Sequence, residues 1–149
     1  FLSGDKAEFG LLPSLYKSID HNLTFNVFGG THETSDGTCM RDFVDVREIV
    51  ETLPVLVTKM LNDEQLESVY NLGSGKGHTV LQISELAQKL IDNKLCISLG
   101  KTMSGDPGSI LADTSKALRD LGWIHKTPIE KSLLSSWKAW SRDRTQKDS

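Results

Sequence analysis

Apolar side chains recur along the chain at alternating helical and strand spacings, which marks out its elements. Leu11, Leu12, Leu15 and Ile19 share one helical face, and Pro13 sits where a first turn tolerates it, so residues 11 to 19 are expected to form a short amphipathic helix. Thr24 to Phe28 is β-branched and aromatic and is closed by Gly29 and Gly30, which predicts a strand followed by a polar loop to Thr38. Phe43 and Val44 read as a short extended piece. From Val46 to Leu61, residues Ile49, Val50, Leu53, Leu56, Val57, Met60 and Leu61 keep helical spacing, with Pro54 predicting a kink or break.

The second half repeats the alternation. Ser68 to Leu72 reads as a strand, and the glycine-rich stretch Gly73 to Gly77 leads to a helix opened by a Thr79 and Gln82 capping box, with Leu81, Ile83, Leu86, Leu90 and Ile91 apolar. Leu95 to Leu99 reads as another strand, and Ser104 to Gly108 as a type II turn. Asp113 can cap a short helix that stops at Gly122. Thr127, Pro128 and Glu130 supply cap, first position and capping-box partner for a last helix burying Ile129, Leu133, Leu134, Trp137 and Trp140. The class is therefore mixed α/β, short strands alternating with helices in one domain over residues 1–141, with a polar tail over 142–149.

Composition narrows the function. The chain has 149 residues, with 17 Lys and Arg against 20 Asp and Glu, too even a balance to make nucleic acid or an anionic membrane a default partner. Its apolar runs are far shorter than the roughly 20 residues of a membrane span. Cys39 and Cys96 have no histidine at ligand spacing, so neither a disulfide framework nor a metal site is expected, and a reducing cytoplasm fits best. The four histidines, His21, His32, His78 and His125, are scattered. Phe1 opens the sequence with no signal-like segment behind it, so the chain is expected to begin partway through a longer protein.

Individual residues admit two readings each. The glycine-rich stretch lacks both the Gly-x-Gly-x-x-Gly and the P-loop spacing, which favours a tight turn over a phosphate cradle. Arg41 offers a planar fork to a phosphate, or a surface ion pair to Asp42, Asp45 or Glu33. Asp106 suits a ribose diol, or simply the turn before Pro107 and Gly108. Phe28 offers a ring edge to a flat base, or core packing. Cys39 reads as a small buried thiol, and Val80 and Leu11 as packing.

Taken in order, these pieces resemble the C-terminal half of the extended short-chain dehydrogenase/reductase family, in its NAD-dependent epimerase/dehydratase group and most closely the UDP-glucose 4-epimerase branch. Leu11, Leu12 and Pro13 match the family's Asn-Leu-x-Pro helix start. Val27 to Gly29, then Thr34-x-Asp36-Gly37-Thr38-x-x-Arg41-Asp42-Phe43-Val44-x-Val46, resemble its central run. Tyr70 to Gly75 resembles a third block, and Gly105 to Pro107, Ala112 to Ala117 and Leu121 to Trp123 the closing one.

The resemblance implies a nucleotide-sugar-binding domain whose partner is a preceding Rossmann domain holding NAD, in a homodimeric parent that acts on a UDP-sugar. It places Leu11 along the nucleotide, Asn26 and Phe28 at the uracil, Arg41 on the diphosphate, Val80 along one wall and Asp106 on the ribose hydroxyls. The implied reaction removes a hydride from the sugar C4 and returns it on the other face. The catalytic Tyr-x-x-x-Lys pair is expected in the other half, since Tyr16 is followed four residues on by Asp20 and Tyr70 by Ser74. No catalytic residue, bound cofactor or metal is expected in this chain. Three positions depart from the pattern: Gly10 replaces the asparagine, Met103 an arginine for the diphosphate, and Phe43 and Asp45 a tyrosine and a histidine. The competing readings are a stand-alone, non-catalytic module that binds a nucleotide sugar or a protein, and the same half of a nucleotide-sugar dehydratase. A half-enzyme is also expected to expose apolar surface and self-associate weakly.

Overall fold

The computed structural model describes residues 10–102 and 105–145, with side chains as far as Arg142. Met103, Ser104 and the polar tail beyond 145 lie outside the described residues. The elements run α1 (Leu11–Asp20), β1 (Phe25–Phe28), β2 (Met40–Asp42), α2 (Val46–Leu61), β3 (Gly77–Thr79), α3 (Val80–Ile91), β4 (Ile97–Gly100), β5 (Ser109–Ile110), α4 (Ser115–Leu121) and α5 (Ile129–Thr145). The mixed α/β class expected from the sequence is the one observed. Among the described residues no helix is long and apolar enough to cross a membrane.

The strands form two small sheets. In one, β1 and β4 run parallel with Phe25 beside Ile97 and Phe28 beside Gly100. In the other, β2 is central, antiparallel to β3 and parallel to β5. Alternation along β1 sends Phe25 and Val27 inward and leaves Asn26 and Phe28 on the outer face. Helices α1, α3 and α5 close over the inner face. Leu15, Tyr16, Ile19, Phe25, Val27, Ile83, Ala87, Leu95 and Leu133 form one buried cluster. Tyr16 is its polar member. Its hydroxyl donates to the Leu133 carbonyl at 3.2 Å, and its ring meets Trp137 edge-on at 5.3 Å.

Several elements form where local chemistry puts them. The Thr79 and Gln82 capping box is complete, each side chain bonded to the other's backbone N–H. Helix α4 stops at Gly122, whose φ of +68° suits a residue without Cβ. Helix α2 spans Val46–Leu61 without interruption despite Pro54. The carbonyl four residues earlier, at Val50, loses its N–H partner there, but Val50 is exposed and water can replace it.

Other expectations are corrected. Ser68 to Leu72 is not a strand, because no neighbouring strand offers it a ladder, and β propensity needs one. The segment is instead pinned by side chains: the Tyr70 hydroxyl accepts from the Glu67 N–H and donates to Asp120. The extended piece is Met40–Asp42 rather than Phe43 and Val44, since Asp45 already caps α2 by accepting from the Arg47 N–H at 3.0 Å. The apolar repeat of α2 is mostly surface: Val50, Leu53, Val57, Met60 and Leu61 are exposed, and Glu48 is the helix's buried residue. That same Glu48 binds the residues that lead into α5.

The Glu48 carboxylate reaches across to the start of α5. It accepts from the Lys126 N–H at 3.0 Å, the Thr127 N–H at 2.5 Å and the Thr127 hydroxyl, and contacts His125 Nδ1 at 2.8 Å. Burial pushes its pKa up, but these hydrogen bonds outweigh burial and hold it below the ordinary value. A carboxylate depressed in the folded state stabilises the fold above its unfolded pKa of about 4.3, and that contribution is lost as pH falls through the folded value. Replacing Glu48 by alanine is expected to cost about 2–4 kcal/mol in urea unfolding at neutral pH. The gap between wild type and variant should narrow progressively as pH falls below about 4.3, and a gap with no pH dependence there would show that the carboxylate charge is not what stabilises the junction.

Candidate functional site

The loop from Gly29 to Cys39 carries the site, and one carboxylate shapes it. Asp36 Oδ1 accepts from the Thr38 N–H at 2.8 Å and the Thr38 hydroxyl at 2.7 Å, while Oδ2 accepts from the Thr79 hydroxyl. Thr38 Oγ1 and Thr79 Oγ1 in turn receive the Leu81 and Gln82 N–H groups, and the Cys39 carbonyl receives Val80 N–H. The first turn of α3 thus has its free donors filled from residues 38, 39 and 79. Burial raises the Asp36 pKa, but hydrogen bonds from Thr79 and Thr38 outweigh it and hold the group ionised. Gly37 is required here: its φ is +79°, and a Cβ would lie 2.7 Å from the Gly30 carbonyl.

With Thr38 and Cys39 fixed, Arg41 follows on the central strand β2. Its partner is none of the three acids expected from the sequence. Strand alternation turns it away from Asp42, and Nη2 instead meets Asp106 Oδ1 at 2.5 Å while Nη1 donates to the Met40 and Pro107 carbonyls at 2.7 and 2.9 Å. Asp45 is held by Arg47. Asp42 points the other way and accepts from the Ser74, Gly75 and Ala112 N–H groups and from the Ser74 hydroxyl. The glycine-rich stretch is therefore a cradle, but for an internal carboxylate rather than a phosphate. A Cβ on Gly73 would lie 2.5 Å from Asp42 Oδ2.

The structure brings Arg41 and Asp106 into direct contact, and Val80 lies one backbone hydrogen bond from Cys39. Asn26 and Phe28 share the exposed face of β1, Phe28 being 54 % exposed rather than core, and the Gly29 to Thr38 bridge joins that strand to the loop. Leu11 opens α1 and is linked to the others through the hydrophobic core, where it and Val80 pack against the same cluster. Gly10, the first departure, gives α1 no side-chain cap. A separate cavity of about 320 Å³ near the start of α5 is lined by Lys76, His78 and His125 and touches none of these six residues.

Sequence reading missed two residues beside Asp106. Cys39 Sγ lies 3.0 Å from Asp106 Oδ2 and 3.2 Å from His32 Nε2, a trio in which His32 and Cys39 share one loop and Asp106 comes from a turn 67 residues beyond Cys39. Burial, then the Asp106 carboxylate, pushes the Cys39 thiol up, which makes it a poor nucleophile.

No family model matches the chain. UDP-glucose 4-epimerase of Lactobacillus helveticus is 33% identical over 133 residues, 88% of this chain and 40% of the relative. The Bacillus subtilis enzyme of the same name is 33% identical over 113 residues, 76% of this chain and 33% of the relative. Among solved structures, UDP-glucose 4-epimerase of Stenotrophomonas maltophila, with bound NAD and formylated UDP-arabinopyranose, superposes with a TM-score of 0.84 at 26% identity, covering 96% of this chain and 42% of that one. The Bifidobacterium longum enzyme, in complex with NAD+ and UDP, gives 0.79 at 28% identity over 95% of this chain and 42% of that one. The chain spans about 40% or less of the curated relatives it matches.

Removing the Asp36 carboxylate should loosen this arrangement from its centre. In Asp36→Ala, hydrogen exchange at the Val80, Leu81 and Gln82 amides is expected to accelerate, with a stability loss of about 1–3 kcal/mol. Unchanged protection at those three amides would show that the loop does not hold the helix start.

Proposed function

We propose that this chain, which corresponds in sequence and in fold to the C-terminal domain of the UDP-glucose 4-epimerases among the extended short-chain dehydrogenase/reductases, is the nucleotide-sugar-binding portion of such an epimerase. The observation that carries the reading is the meeting of Arg41 with Asp106, a phosphate-binding fork against a diol-binding carboxylate, beside the outer face of β1. In the ligand-free chain the two neutralise one another. A diphosphate would take the Arg41 donors from Asp106 and Pro107, and the ribose hydroxyls would donate to the carboxylate so released. Asn26 and Phe28 supply a polar edge and an exposed ring for the uracil, with Val80 and Leu11 completing the walls. The relatives' names favour an epimerase over a dehydratase or a non-catalytic module.

The hydride chemistry of the whole enzyme belongs to NAD, which the reading assigns to a domain outside this sequence. A cytoplasmic, homodimeric parent belongs to the same reading. The exposed stripe on α2, Val50, Leu53, Val57 and Met60, is the surface on which such a domain would pack.

Two measurements test this. Titrated with UDP, the Arg41→Ala chain is expected to bind at least about tenfold more weakly than the wild type. Uridine, which has no phosphate, should lose far less, and an equal loss for both would remove the diphosphate from Arg41. In sedimentation, the wild-type chain should self-associate with rising concentration and a Leu53→Glu, Val57→Glu double variant should stay monomeric. A wild type that is monomeric throughout would count against the α2 face.

A further inference from the structure

We propose that His32 Nε2, Cys39 Sγ and Asp106 Oδ2 form a three-ligand site for a borderline divalent ion such as Zn²⁺ or Co²⁺, with its fourth position open. The three ligand atoms lie within 4.8 Å of one another. Tetrahedral zinc with ordinary bond lengths separates such ligands by about 3.4–3.6 Å. The observed 3.2 Å from sulfur to nitrogen and 3.0 Å from sulfur to oxygen open to that spacing with side-chain shifts of a few tenths of an ångström. A nitrogen, a sulfur and a carboxylate oxygen also make a donor set that selects borderline ions over magnesium or calcium.

The surroundings hold the ligands in place. Arg41 grips Asp106 Oδ1 at 2.5 Å, which leaves Oδ2 aimed at the sulfur. The His32 backbone N–H is tied to the Gly37 carbonyl at 3.1 Å, and Cys39 is fixed through Val80. Such supporting bonds orient a metal's ligands before it arrives. On binding, the thiol proton leaves to solvent and the sulfur lone pair takes the ion. The site would share Asp106 with the ribose contact proposed above, yet it stands on geometry alone, and its test contains no nucleotide.

The experiment is a Co²⁺ titration of the full chain followed by absorption. One equivalent is expected to bring in a thiolate-to-cobalt charge-transfer band together with the intensified visible bands of a tetrahedral ion. Cys96→Ser, which alters the exposed second cysteine, should keep both. Cys39→Ser should lose the charge-transfer band, and His32→Ala should weaken binding at least about tenfold. Near-ultraviolet circular dichroism of each variant before metal is added separates loss of the site from loss of the fold. A spectrum without the charge-transfer band, or a band that disappears with Cys96 instead of Cys39, overturns the assignment.

Discussion

The whole arrangement around Arg41 depends on where the Asp36 carboxylate goes. A surface loop of this length has no core of its own, so without an internal anchor it would sample many conformations. Asp36 supplies the anchor twice over: one oxygen closes the loop onto Thr38, and the other reaches Thr79 at the foot of α3. Because Thr38 and Thr79 also feed the first turn of that helix, the loop and the helix start are a single hydrogen-bonded unit. β2 leaves this unit directly, and the direction in which Arg41 projects is a consequence of it.

The same device recurs through the domain. Asp42 binds the backbone of residues 74, 75 and 112, Glu48 binds residues 126 and 127, and Asp45 caps α2 while accepting from Ser132. Each acid serves amide groups that would otherwise lack partners at a turn or a helix start, and each joins segments far apart in sequence. The sheets here have only two and three short strands. Carboxylates therefore take over part of the connecting role that long ladders perform in larger sheets. The amides they occupy are, by the same token, withdrawn from any external anion.

How much of this was legible in the sequence follows from the range of each interaction. Helix α2 matched its predicted bounds and the Thr79 and Gln82 box formed as expected, because periodicity and capping are written in neighbouring residues. The phantom strand at residues 68 to 72 was misread because a strand depends on what lies alongside, which spacing cannot show; spacing likewise gave α2 its helical repeat but not which of those residues face solvent. Arg41 and Asp106 were legible as a pair only through the family resemblance. By residue chemistry alone Arg41 had nearer acids to choose from, and strand alternation decided otherwise. Glu48 was invisible as a junction, since an acid in the first turn of a helix is ordinary and its partners lie some eighty residues on. His32 and Cys39 gained meaning only once their loop had met the turn that carries Asp106.

The placement of the three tryptophans has an optical consequence. Trp123 donates its indole N–H to the Gly73 carbonyl at 2.8 Å, beside the glycines that cradle Asp42. Trp137 and Trp140 flank Tyr16 in the main core, with ring centroids 5.3 and 6.2 Å away. At such separations light absorbed by Tyr16 passes to its indole neighbours, whereas Trp123 emits from a different polar setting. The domain thus carries two native chromophore systems, one reporting the acid-pinned sheet and the other the hydrophobic cluster. Their relative timing during denaturation would reveal whether these two halves of the structure come apart together.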